Sequence, residues 1–126
     1  MTGARYGKLW LTGAEAEAFA VPSGQLVHLQ DVFWEEGDSL VLRVRFIAPQ
    51  IARNGGTVDY ETAAKDMLHL CETYVKPQVE ASADKPDQII LSLSDIDVPF
   101  GEADPEATQF FESYTIQNGA CIWEVY

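Results

Sequence analysis

The sequence predicts an α+β domain, an antiparallel sheet of about five strands in the order ββ-α-β-ββ with one main helix packed on it. Three patterns carry that expectation: apolar residues at period two over residues 26–47, an apolar stripe at helical spacing over residues 60–75, and Asn118-Gly119 between two apolar runs near the end. A chain of 126 residues with 47% apolar residues has one domain's length and enough material to bury a core without a metal or cofactor.

Residues 1–20 read as a peripheral, leader-like segment, in which "TGAEAEAFA" forms a short amphipathic helix at best. The domain, residues 21–126, starts at "VPSGQ", where Pro22 and Gly24 mark a turn. "QLVHLQDVFWEEGDSLVLRVRFIAP" follows as a hairpin. Val27, Leu29, Asp31 and Phe33 alternate with His28, Gln30, Val32 and Trp34, and after an acidic turn Leu40, Leu42, Val44 and Phe46 alternate with Val41, Arg43, Arg45 and Ile47. Period two with polar interruptions on one face implies a sheet covered on one side. Pro49 cannot donate to a ladder and stops the second strand.

Asn54-Gly55-Gly56 is a loop, after which Thr57 or Asp59 can cap a helix and Glu61 suits its positive end. Tyr60, Ala64, Met67, Leu68, Cys71 and Val75 form the stripe that needs a sheet to lie on, while Lys65, Asp66, Glu72 and Lys76 fall largely elsewhere. Pro77 is expected to close the helix. Ile89, Leu91 and Leu93 then alternate with Ile90, Ser92 and Ser94 in a strand with one wet face. "GEADPEATQFF" reads as a solvated turn that delivers Phe110 and Phe111 back to the body, where burial of a phenylalanine is worth roughly 2–3 kcal/mol. Asn118-Gly119 turns a strand near 111–116 into a last strand, residues 120–126.

Twenty acidic against eight basic residues give a formal charge of −12, which repels nucleic-acid backbones and anionic lipid. Direct nucleic-acid binding is therefore not expected. No run of eighteen apolar residues offers a transmembrane helix. The N-terminus carries Arg5, Lys8, a short apolar patch and Ala18-Phe19-Ala20, as an export signal does, but Glu15 and Glu17 interrupt its apolar stretch. Either the true start lies upstream, or the leader has been replaced, or the protein stays inside.

Chemistry-bearing residues are sparse. Cys71 lies on the helix stripe, and Cys121 opens the last strand on the side of Trp123 and Val125, so a disulfide worth roughly 4 kcal/mol and a pair of reduced core cysteines are both open readings. His28 and His69 have no partner at ligand spacing, so no metal site is expected. Asp95, Asp97, Glu102, Asp104 and Glu106 form an acidic run that matches no EF-hand. They could hold Ca²⁺ weakly or serve acid–base work on a glycoside, with a solvated loop as the default. There is no nucleophile elbow and no phosphate-cradling glycine loop, hence no catalytic residue and no cofactor is expected.

From about Val21 onward, "VPSGQ", "RFIAPQIARNGGTV", "DMLHLC", "IILSLSD", "VPFGEADPEATQFFE" and "NGACIWE" resemble a family of small proteins of unknown function, mainly alphaproteobacterial and usually exported. The resemblance implies a periplasmic or otherwise exported protein in which Cys71 and Cys121 are bridged. It implies no reaction. Some relatives carry the label acetolactate synthase, which this chain is too short to satisfy and for which it lacks a thiamine-diphosphate motif.

The functional expectation is a small, acidic, non-enzymatic binding or accessory domain acting on a protein or a membrane-associated complex. Trp34 and Trp123 would serve as aromatic anchors beside the acidic run, with Trp10, Tyr114 and Tyr126 as further aromatic supply. The alternative is an acidic nucleic-acid mimic that occupies the basic groove of a nucleic-acid-binding protein.

Overall fold

The structure, a computed structural model, describes residues 3–6 and 18–125. Strands β1 (Gly3–Tyr6), β2 (His28–Glu36), β3 (Leu40–Ile47), β4 (Gln88–Ser94), β5 (Gln109–Gln117) and β6 (Ala120–Glu124) form one sheet in the order β1-β2-β3-β4-β5-β6. The α+β class with one main helical run agrees with expectation. The strand count and the antiparallel arrangement do not: among the described residues the sheet has six strands and is mixed, because β3 and β4 pair in parallel, from Val41 opposite Gln88 to Ile47 opposite Ser94.

The parallel pair follows from what joins it. The helix between β3 and β4 carries the chain back along the sheet before the next strand begins, so β4 enters in the direction of β3. Strand β1, within the segment expected to be peripheral, pairs antiparallel with β2, Arg5 lying opposite Trp34. The short helix expected over "TGAEAEAFA" falls largely on residues outside those described. Phe19, just beyond them, donates its N–H to the Val27 carbonyl and sets its ring edge-on to Phe46 and Tyr74, at 5.4 and 4.8 Å.

The helical run has three parts: α1 (Tyr60–Leu70), a π-turn (Cys71–Val75) and α2 (Lys76–Ala81). Asp59 is the cap, its carboxylate accepting from the Thr62 N–H at 2.9 Å. Pro77 does not close the helix as expected. A proline lacks an N–H and its ring crowds the carbonyl four residues back. The wide turn ahead of it relieves that crowding, with the Lys76 N–H donating to the Cys71 carbonyl five residues earlier.

The buried side of the helix is also rotated from the expected stripe. Ala63, Met67, Leu70, Cys71, Val75 and Val79 face the sheet, whereas Tyr60 and Leu68 overhang it, 47% and 42% exposed. Against the helix lie Val32 and Trp34 of β2, Leu42, Val44 and Phe46 of β3, Ile89, Leu91 and Leu93 of β4, and Tyr114 of β5, all buried. This is the core.

The opposite sheet face is covered too, by residues 95–108. Thr108 donates its N–H to the Asp95 carboxylate at 2.7 Å, and Gln30 donates through Nε2 to Asp97 Oδ1 at 2.8 Å and to the Val98 carbonyl at 3.0 Å. Arg45 also donates to the Val98 carbonyl. Val98 is thereby buried, and Ser92 and Ser94, expected on a wet face, are 4% and 2% exposed.

Candidate functional site

The most built feature on the helix side surrounds Glu112. In β5 the residues that point to the core face are Phe110, Glu112, Tyr114 and Ile116, so the pleat drives a carboxylate into an apolar row. Glu112 is 3% exposed. It is satisfied by two donors: the Tyr60 hydroxyl from the start of α1 and Nε1 of Trp123 from β6. A buried carboxylate without such donors would be strongly disfavoured.

These bonds fix two aromatic rings as the walls of a groove of about 280 Å³, lined further by Ala64, Leu68 and Tyr114, with Lys65 at its rim. The electrostatics agree. The hydrogen bond to Glu112 raises the Tyr60 phenol above its ordinary value, and burial, reinforced by the Glu112 charge, raises that of Tyr114.

The groove opens onto β6, which lies at the edge of the sheet. Ile122, Trp123 and Val125 are 38%, 56% and 83% exposed, so both faces of an edge segment present apolar side chains to solvent. Edge strands usually carry charges or prolines that discourage pairing. Here Glu124 is the only charge, and it accepts from the Thr115 hydroxyl at 3.1 Å.

A rigid anchor stands behind this edge. Cys71 and Cys121 form a disulfide, with Cα atoms 6.3 Å apart, tying the π-turn to the start of β6. Beside it Glu72 accepts from the Cys121 N–H at 2.7 Å and from Lys76 Nζ at 2.6 Å, and Lys76 donates to the Gly119 carbonyl at 2.8 Å. The Lys76 ammonium and the Cys121 N–H hold the Glu72 carboxyl below its ordinary range.

The other expected surface residues separate into three groups. Trp34 is not an exposed anchor, since it lies on the Val32 side of β2 under the helix and is 3% exposed. Trp123 is exposed, as above. Asp95 and Asp97 are used to pin the 95–108 loop, Asp104 accepts from the Glu106 N–H at 2.9 Å, and Glu102 and Glu106 are in solvent. No group of three or more His, Cys, Asp or Glu among the described residues could hold a metal ion. No helix among them is long and apolar enough to cross a membrane. Trp10 and Tyr126 lie outside the described residues.

Two polar centres escaped the sequence reading. Glu112 had a usable signal, a charged residue in the core-facing row of a β-strand. Asp66 had none, because its partners Ser23 and Gln25 lie in a distant turn.

No curated protein and no solved structure matches this chain. A family model does match it, over residues 7–126, and the chain belongs to that family, a family of unknown function (DUF6497).

Proposed function

We propose that this chain is a non-enzymatic accessory domain that binds an extended segment of another protein along the outer edge of β6, with an apolar side chain of that segment seated against Trp123. The observation that carries the reading is the pairing of an apolar sheet edge with an aromatic groove whose walls are locked by Glu112. Addition of a strand to a free edge supplies main-chain hydrogen bonds, and an adjoining pocket supplies specificity. Pre-fixed tryptophan and tyrosine rings reduce the ordering cost of binding. The charge of −12 favours a basic segment. The Cys71–Cys121 bridge favours an oxidising compartment, in keeping with export and with service to an envelope complex.

The nucleic-acid-mimic reading draws on a different surface, the exposed Glu102, Asp104 and Glu106. One experiment separates the two. A photo-crosslinking residue is placed in the native host at Val125, at Asp104 or, as a reference, at Asp84. Adducts to a protein from position 125 that disappear with Trp123→Ala support strand addition. Adducts from position 104 to a nucleic-acid-binding protein support the mimic. Equal adducts at all three positions, or none, overturn both.

A further inference from the structure

On the sheet face opposite the helix, between β3–β5 and the 95–108 loop, lies a second cleft of about 340 Å³. That volume lies within the range of small-molecule sites. Its lining differs from the acidic surface around it: Arg43, Ser92, Phe100, Gln109 and Phe111, with Glu102 among them.

Two arginines stand side by side in β3, and they are spent differently. Arg45 is consumed by structure, its Nη1 on both carboxylate oxygens of Asp31 at 2.8 and 3.2 Å and its Nη2 on the Val98 carbonyl. Arg43 gives only Nε, to Glu35 at 2.6 Å. Its two terminal amino groups make no hydrogen bond among the described residues, so a fork of donors borders the cleft unused. Ser92, on the neighbouring strand opposite Arg45, is 4% exposed and lines the cleft, and its hydroxyl also has no protein partner among the described residues. The Gln109 side-chain amide is likewise uncommitted. Among the described residues Gln25 Oε1 is the one fully buried side-chain nitrogen or oxygen without a partner, so the Ser92 hydroxyl keeps some solvent access.

The apolar wall is fixed in place. Phe100 lies 5.0 Å from the Arg43 guanidinium carbon and 5.4 Å from that of Arg45, and edge-on to Phe33 at 4.7 Å. Stacking against a ring holds a guanidinium plane in a defined orientation. Phe111, 40% exposed, borders the cleft across from it.

From these features we infer that the cleft binds a small organic monocarboxylate with a flat apolar body. The carboxylate engages the terminal amino groups of Arg43, the Ser92 hydroxyl and the Gln109 amide complete its hydrogen bonds, and the body lies between Phe100 and Phe111. A bidentate guanidinium–carboxylate pair suits the planar fork that Arg43 leaves open. This site is separate from the β6 edge, on the other face of the sheet, so its occupancy does not depend on the reading of that edge.

The test is an NMR titration of the isotope-labelled full chain with phenylacetate, and with benzyl alcohol and inorganic phosphate as comparators. Saturable shifts of the Ser92, Gly101 and Ala103 amides are expected for phenylacetate, with a dissociation constant on the order of 1 mM or tighter. Benzyl alcohol, which lacks the charge, and phosphate, which lacks the body, should each bind at least about tenfold more weakly. Arg43→Lys should weaken phenylacetate about tenfold. Ser92→Ala, which removes one atom without touching the Glu35 pair, should weaken it about threefold to tenfold. Glu102→Gln should tighten binding, since it removes a like charge beside the cleft. No saturable shift, equal binding of either comparator, or indifference to both Ser92→Ala and Glu102→Gln would overturn the assignment.

Discussion

Asp66, in the middle of α1, accepts a hydrogen bond on Oδ2 from the hydroxyl of Ser23, 43 positions earlier in the chain. The same carboxylate takes the Ser23 N–H at 3.0 Å and Gln25 Nε2 at 2.7 Å, and Asp66 is fully buried. It is the clasp that holds the first turn of the domain against the helix. Asp66→Ala strands three donors at once, two from Ser23 and one from Gln25, and should cost about 2–4 kcal/mol in chemical denaturation. Asp66→Asn, which keeps the shape and one acceptor oxygen, should cost less than half as much. A loss under about 1 kcal/mol for the alanine variant would show that water replaces the carboxylate and that the turn is not clasped.

Sequence reading reached what local pattern decides. The alternation of Leu42, Val44 and Phe46, a helix cap at Thr57 or Asp59, which falls to Asp59, and the Asn118-Gly119 turn are written in short stretches, and each has its place in the structure. The direction of β4 was not legible, because period two is the same for parallel and antiparallel strands and only the helical crossover decides between them. Ser92 and Ser94 read as wet because the loop that covers them is polar in sequence and attaches through Asp95, Asp97 and the Val98 carbonyl. The same covering buries Phe33 on one face of β2 while the helix buries Trp34 on the other, so neither residue of that pair stays outside. Of the candidate surface, Trp123 could be read from its place near the end of the last strand. Glu112 and Asp66 depend on partners 52 and 43 positions away.

The disulfide and the Glu72–Lys76 cluster hold the same two elements together by independent means. Removal of the bridge by Cys71→Ser with Cys121→Ser should lower stability by about 4 kcal/mol, the chain-entropy value for a loop of this size. The fold should survive, since the Cys121 N–H and the Gly119 carbonyl remain tied to Glu72 and Lys76. Denaturation curves with and without reductant measure the first point, and amide dispersion in the reduced protein checks the second. A reduced chain that is unfolded in water would show that the polar cluster cannot hold β6 alone.

Glu72 gives the domain an acid-side dependence. Its carboxyl is held below its usual value of 4.5 by Lys76 and the Cys121 N–H, so the folded state binds its proton less readily than the unfolded state. Such a group contributes its full stabilisation above pH 4.5 and loses it as pH falls through the depressed folded value. The stability gap between the wild type and Glu72→Gln should therefore be constant near neutrality and close on acidification below that point. A gap that persists unchanged well below it would show that the glutamine distorts the hairpin for steric reasons.

The turn before β6 carries two consecutive positive φ angles, 52° at Asn118 and 76° at Gly119. Nothing stands within 4 Å of where a Gly119 side chain would begin, so Gly119→Ala isolates backbone strain from crowding. About 1–2 kcal/mol of destabilisation is expected, the usual cost of a left-handed conformation for an alanine. Gly56→Ala should be worse, because its Cβ would fall 2.1 Å from the Ala52 carbonyl oxygen, a backbone atom with little room to move. An order reversed in thermal melts would mean that the loop over residues 52–56 yields more easily than the hairpin turn.

Glu112 ties the candidate groove to the stability of the fold, since Tyr60 and Trp123 are its only donors among the described residues. Tyr60→Phe and Trp123→Phe each keep an aromatic ring and remove one hydrogen bond to a carboxylate, at a cost of about 1.5–3 kcal/mol. In the double variant the buried carboxylate has neither donor, and the loss should exceed the sum of the singles by about 0.5–3 kcal/mol. Glu112→Gln in that background should recover part of it, because a neutral amide is less costly to bury. The alkaline side adds an independent check. The Tyr60 phenol, raised by its bond to Glu112, contributes stability that is complete below pH 10.0 and is lost as pH rises through the folded value, and Tyr60→Phe should remove that part of the alkaline decline. Additive losses in the cycle, together with an alkaline profile unchanged in Tyr60→Phe, would mean that the two rings are not held through one carboxylate and that the groove walls move independently.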